Sequence, residues 1–159
     1  MKKRMKKIDW KVLTVCLVVV YLVAFIGSLF TSGNTNSPWY LENKPSFTPP
    51  NFVFPIVWPI LYFLIALSLY LSWIKAKKNE KKKIAIIFGI NLVANALWSY
   101  LFFGIQNPLL AVISIIIILV SIIAMVFVAG KIDKKAGWIL VPYLLWVSFA
   151  TTLNLAFVI

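Results

Sequence analysis

The sequence predicts an all-α integral membrane protein, a bundle of five transmembrane helices with its N-terminus inside and its C-terminus outside. Five long apolar stretches contain no charged residue, and every Asp, Glu, Lys and Arg of the 159-residue chain falls between or beyond them. At about 1.5 Å of rise per residue, roughly 20 apolar residues cross the ~30 Å hydrocarbon core of a bilayer. The stretches lack the alternation of a membrane barrel, so their backbone polar groups must be satisfied within helices. The cations sort by connection. Lys2, Lys3, Arg4, Lys6, Lys7 and Lys11 precede the first stretch; Lys75, Lys77, Lys78, Lys81, Lys82 and Lys83 follow the second; Lys131, Lys134 and Lys135 follow the fourth. Only Lys44 lies on the opposite side. Cationic loops resist translocation, which assigns the rich side to the cytoplasm.

The first stretch is Val12–Phe30. It has a cationic lead and a Gly27-Ser28 pair, but its apolar run exceeds the 7–15 residues typical of a secretory signal, so it reads as a retained helix. Thr31–Asn51 follows as a long loop stiffened by Pro38, Pro45, Pro49 and Pro50 and carrying Trp39, Tyr40 and Phe47. A long ordered loop in a compact domain is usually functional, and an aromatic one reads as a lid over the outer end of the bundle. The second stretch, Phe52–Ile74, contains Pro59, which removes the bond its N–H would donate to the Pro55 carbonyl and predicts a kink. Lys75–Lys83 is then a tight cytoplasmic turn.

The third stretch, Ile84–Phe103, ends at Gly104–Pro108, where the Asn107-Pro108 step suits one helix ending and another beginning. The fourth, Leu109–Ala129, is joined by the Gly130–Lys135 turn to the fifth, Ala136–Ile159, in which Pro142 frees the carbonyl of Trp138. No repeat or soluble appendage interrupts the pattern, so residues 1–159 form a single domain.

This composition excludes several functions. The net charge of +12 is accounted for by topology, which removes it as a sign of nucleic-acid binding; the partner it implies is the lipid bilayer itself. There is no histidine and a single cysteine, Cys16, so a zinc site, a Ser/His/Asp triad and an intrachain disulfide are all excluded; no metal site and no obligatory cofactor are expected. The uncharged stretches also lack the acidic and basic residues of an ion-coupled transporter. Any chemistry must use rings, amides and hydroxyls.

Those groups lie on particular faces. Asn91, Asn95, Trp98 and Phe102 recur at helical spacing on one face of the third stretch, and an amide facing lipid would be costly, so the face looks inward. Two readings stay open: interhelical glue, at about 0.6 kcal/mol per bond, or the floor of a pocket that hydrogen-bonds a flat ligand. Trp146, Ala150 and Asn154 make a similar face on the fifth stretch, with small Ala150 leaving room for a helix or a ligand. Trp10, Trp39, Trp73 and Trp138 sit near stretch ends as interfacial belt residues, whereas Trp58, Trp98 and Trp146 lie deeper.

These residues also carry a resemblance. Trp39-Tyr40, Lys44-Pro45-Ser46-Phe47-Thr48-Pro49-Pro50, Phe54-Pro55, Trp58 and Leu61-Tyr62 resemble the first-loop and second-helix signature of the tryptophan-rich sensory protein (TspO/MBR) family, the bacterial relatives of the mitochondrial translocator protein or peripheral benzodiazepine receptor. Asn95-Ala96-Leu97-Trp98-Ser99, Phe102-Phe103-Gly104 and Asn107-Pro108 look like the family's third helix and the turn after it; Pro142-Tyr143, Trp146, Phe149-Ala150 and Leu153-Asn154 look like its fifth.

The resemblance implies a multi-pass protein of the cell membrane (the inner membrane if bacterial), often a homodimer, that acts as a receptor or sensor. It implies a pocket beneath the first loop for porphyrins, notably protoporphyrin IX, or benzodiazepine-receptor drugs. Tyr40, Pro50, Trp58, Tyr62, Asn91, Asn95, Trp146, Ala150 and Asn154 match the family's pocket positions. Two alternatives accompany it. One is light-dependent porphyrin degradation with Trp58 and Trp146 as the reacting tryptophans; the other is transport of tetrapyrroles or small amphipathic molecules. The chain departs from the pattern in two places. Its C-terminal Asn154–Ile159 lacks the tyrosine and basic residue of the animal cholesterol motif, and Phe47 stands where several relatives have tryptophan. Lys44, the lone cation in the lid, has two readings that stay open: it solubilises the loop, or, if the ligand is the porphyrin implied by the resemblance, it pairs with that ligand's carboxylates.

Overall fold

A computed structural model describes residues 7–159; residues 1–6, with Lys2, Lys3, Arg4 and Lys6 of the basic lead, lie outside the described residues. The chain forms α1 (Trp10–Thr31), α2 (Pro38–Asn43), α3 (Val53–Lys75), α4 (Lys78–Ser99), α5 (Pro108–Ile132), α6 (Lys134–Ile139) and α7 (Val141–Ala156), with no strand among the described residues. Counting α6 and α7 as one broken span, five helical spans are long and apolar enough to cross a membrane. α1 packs against α3 and α4; α5 packs against α4, α6 and α7; and α3 closes the bundle against α6. Val20, Ile65, Ile84, Ile122, Met125, Leu140 and Tyr143 are wholly enclosed between them.

The helices run farther than the apolar stretches. The expected turn over Lys75–Lys83 shrinks to Ala76 and Lys77, because α4 already begins at Lys78. Lysine and glutamate are good helix formers, and the Glu80 carboxylate accepts the Lys77 N–H at 2.7 Å, so charge marks the edge of the apolar layer and not the end of the helix. Likewise α5 continues to Ile132, and Asp133 alone separates it from α6. That one residue serves both helices. Its backbone N–H bonds the Ala129 carbonyl at 2.8 Å, and its Oδ1 accepts the Lys135 N–H at 3.0 Å.

The prolines act differently from one another. α3 continues unbroken through Pro59. Pro142 does more than kink the last span: α6 stops at Ile139 and α7 starts afresh at Val141, with the proline in its first turn, where a missing N–H costs nothing.

The third span also changes character at its end. After Ser99 the chain takes a π-helical turn over Tyr100–Gly104, closed by the Ile105 N–H on the Tyr100 carbonyl at 2.9 Å. The following Gln106 adopts φ 52°. The wider turn leaves Phe102 and Phe103, adjacent in sequence, both buried. Such turns recur at functional sites.

Candidate functional site: an aromatic cavity under the first loop

The first loop is more structured than a proline-stiffened lid. Gly33 at φ 83° reverses the chain, Asn34–Asn36 form a 3₁₀ turn, and Ser37 caps α2 by accepting the Tyr40 N–H at 3.3 Å. α2 directs Trp39 and Tyr40 onto the π turn and the C-terminus. Trp39 lies edge-on to Phe102 at 5.6 Å, and Tyr40 stacks on Phe157 at 5.7 Å. Phe102 meets Phe103 and Phe157 at 4.9 Å each and stacks on Trp98 at 5.1 Å. Partly buried Trp39 is therefore packed into an aromatic cluster, whereas Trp10 and Trp138 are exposed near their helix ends.

Beneath this cluster, α1, α3, α4 and α7 surround a cavity of about 590 Å³. The structure brings Tyr40, Trp58, Tyr62, Asn95, Trp98, Trp146, Ala150 and Asn154 to its wall. Three expected residues stay away. Lys44, which ends α2, and Pro50 are exposed and do not line it, although Thr48 and Asn51 of the same segment do. Asn91 is completely buried, one helical turn too deep. Its Nδ2 donates to Ser121 Oγ at 2.9 Å, and its Oδ1 accepts the Tyr143 hydroxyl at 3.1 Å.

The two amides on α4 thus belong to a chain of bonds that ties the bundle together. Tyr62 donates to Asn95 Oδ1 at 3.0 Å, Asn95 Nδ2 donates to Tyr143 Oη at 2.7 Å, and the chain continues through Asn91 and Ser121 to the Ile118 carbonyl at 2.7 Å. It links α3, α4, α5 and α7. Trp98 and Asn154 are similarly committed: the indole N–H donates to Asn154 Oδ1 at 2.8 Å, and Asn154 Nδ2 to the Pro108 carbonyl at 2.9 Å. Of the two readings that the sequence left open, these bonds favour interhelical glue, although Asn95 and Asn154 also line the cavity. They are glue at the cavity's base, and the surface they offer is mainly that of the rings they orient.

Among the described residues, no charged side chain lines the cavity. Burial also pushes the Tyr40 phenol above its ordinary pKa, which keeps it neutral. Phe54 stands edge-on to Trp146 at 6.0 Å, and Trp58 tilts against Tyr62 at 5.7 Å, so α3 and α7 face each other across aromatic walls. The Nε1 of Trp146 and Oδ1 of Asn51, both on lining residues, are shielded from solvent and have no hydrogen-bond partner among the described residues. Exposed Tyr21 and Phe25 of α1 and Pro55 and Pro59 of α3 also border the cavity, with the Tyr21 hydroxyl donating to the Pro59 carbonyl at 2.9 Å between them. Asn51 and Phe157 were missed by the sequence reading. A polar residue between Pro50 and Phe52 was an available signal for the first; Phe157 offered none, since its role depends on where α2 lands.

The chain matches the model of the TspO/MBR family over residues 15–159. It is 39% identical over 145 residues to a tryptophan-rich protein TspO of Archaeoglobus fulgidus, covering 91% of this chain and 93% of the relative. It is 32% identical over 149 residues to a tryptophan-rich sensory protein of Cereibacter sphaeroides, covering 92% and 89%, and 31% identical over 137 residues to the human translocator protein, covering 84% and 80%. The chain belongs to the TspO/MBR family and is a multi-pass membrane protein.

Proposed function

We propose that this family member is a membrane receptor or sensor that takes a flat hydrophobic ligand, a porphyrin such as protoporphyrin IX, into the cavity under the first loop. The observation that carries the reading is the cavity's wall: about 590 Å³ bounded by aromatic rings, with no charged side chain lining it among the described residues. A volume of that order suits a small-molecule ligand. Burial of apolar area at about 25 cal/mol per Å², with ring stacking on Trp58, Trp98 and Trp146, supplies the affinity. The porphyrin's carboxylates are costly to bury without a cation and remain at the mouth, towards the loop. The names of the relatives, sensory protein and translocator protein, support the receptor reading.

A second reading, porphyrin degradation in light, gains from one fact: both Trp58 and Trp146 line the same cavity. With no acid or base on the wall, the reactivity would come from the excited ligand.

Titrating the full-length protein in nanodiscs with protoporphyrin IX, in darkness and in light, tests both. Saturable tryptophan quenching in the dark that weakens at least several-fold in Ala150→Leu supports the receptor. Equal affinity of the variant would remove the ligand from this cavity. Loss of porphyrin absorbance only in light and only with protein would favour degradation.

The charge distribution further orients the lysine-rich end towards the cytoplasm. A reporter active only in the cytoplasm, fused after Ile159, is then silent; strong activity would invert the topology.

A further inference from the structure

A second cavity, of about 440 Å³, lies at the opposite end of the bundle, on its outer surface between α1, α3 and α4. Its walls are two matched stripes. Val12, Val15, Cys16 and Val19 on α1 and Ala85, Phe88, Gly89 and Leu92 on α4 each follow the one-face spacing of a helix, and Leu69 and Trp73 of α3 form the floor. Each stripe spans roughly 10 Å along its helix axis at 1.5 Å per residue, a slot running from the lysine-rich end towards the middle of the membrane layer.

The slot is apolar along its length and cationic at one end. Lys11 borders it directly, and Lys81 lies one helical turn before Ala85 on the α4 stripe, its Nζ 5.4 Å from the centroid of the Trp73 ring. The neighbouring carboxylates are engaged elsewhere: Asp9 accepts the Val12 N–H at 3.2 Å, Glu80 the Lys77 N–H at 2.7 Å, and Asp133 pairs with Lys75 at 2.6 Å. Among the described residues, neither Lys11 nor Lys81 has an acidic partner.

We propose that this slot binds an anionic phospholipid of the adjoining leaflet, one acyl chain lying between the α1 and α4 stripes and the phosphate held by Lys11 and Lys81. A narrow apolar slot accepts a hydrocarbon chain, and two unpaired ammonium groups at its mouth complement a headgroup of net negative charge. Gly89 widens the slot: a Cβ built on it meets nothing within 4 Å. The assignment is independent of the ligand cavity and of which face is cytoplasmic.

The test uses full-length protein in nanodiscs containing phosphatidylglycerol or phosphatidylcholine with brominated acyl chains, reading the part of the tryptophan quenching that Trp73→Phe abolishes. Phosphatidylglycerol is expected to compete for the slot about fivefold better than phosphatidylcholine. That preference should vanish in the Lys11→Gln/Lys81→Gln double variant. Gly89→Leu, whose added Cβ meets nothing within 4 Å, should occupy the slot and reduce quenching by both lipids. Equal quenching by the two lipids in the wild type, or a preference that survives the double variant, overturns the proposal. So does a Gly89→Leu protein that quenches normally but changes from dimer to monomer in light scattering, since the slot would then hold a second copy of the chain.

Discussion

At the lysine-rich end, backbone meets backbone: a Cβ added to Gly137 of α6 would sit 2.8 Å from both the Gly130 Cα and the Val126 carbonyl of α5. Ser68 of α3 bonds the Ala136 carbonyl at 2.8 Å across the same region, and Lys75 pairs with Asp133 at 2.6 Å. At the loop end the same bundle opens into a cavity of about 590 Å³ walled by Trp58, Trp98 and Trp146. Small residues let helices close at one end; large rings hold them apart at the other. The Tyr62–Asn95–Tyr143–Asn91–Ser121 chain runs between the two regions and isolates one from the other. The void at the loop end is lined by rings, whereas the α3–α5–α6 side of the lysine-rich end is tied shut and leaves only the surface slot between α1, α3 and α4.

Adding volume at each end should therefore have opposite consequences. Gly137→Leu is expected to lose about 3 kcal/mol, because its new atoms meet backbone that cannot rotate aside. Reversible unfolding in mixed micelles measures it. A loss under about 1 kcal/mol would mean that α6 slides away freely and that the end is not tightly closed. Ala150→Leu, by contrast, adds its atoms to the cavity and is expected to change stability by no more than about 1 kcal/mol, with a gain as possible as a loss. A cost as large as that of Gly137→Leu would show that the cavity wall is as unyielding as the closed end.

The smallest effect concerns the ion pair that joins α3 to the α5–α6 junction. Burial alone raises the Asp133 carboxyl, but the Lys75 hydrogen bond and charge, with the Lys135 N–H and charge, outweigh it and hold the group below the ordinary carboxylate value. A lowered folded-state value contributes stability above the unfolded pKa of about 3.9, and that contribution is lost as pH falls through the folded value. With Lys75 45% exposed, the pair is worth up to about 1 kcal/mol. Asp133→Asn keeps a side chain suited to capping α6 and removes only the charge. Its melting temperature is expected to fall less than that of the wild type between pH 6 and pH 3. Parallel pH profiles would show that the closed end owes nothing to the pair.

Most of the fold was legible along the chain. Apolar run length against bilayer thickness specified five spans, and the inward face of the third placed Asn91 and Asn95 inside the bundle. Helix ends were misplaced where charge was taken as the boundary, since the bilayer constrains burial while lysines extend a helix beyond it. The Pro142 break and the π turn at Tyr100 left weaker marks. A proline within an apolar run is compatible with either a kink or a fresh start, and no residue type encodes an i+5 bond.

By itself the sequence determined the class, the number of spans, the absence of charge from every apolar stretch, and which aromatics and amides had to face inward. Those properties follow from a one-dimensional pattern read against a slab of fixed thickness. Tertiary structure alone decided what each inward group does. Asn91 and Asn95 became rungs of a hydrogen-bond chain because Tyr62, Tyr143 and Ser121 arrive from three other helices. Asn51 reached the cavity and Lys44 did not, because α2 settles its aromatic face on Phe102 and Phe157. Whether a polar atom faces a partner or a cavity depends on residues far apart in the chain, so it becomes definite only when the helices have packed.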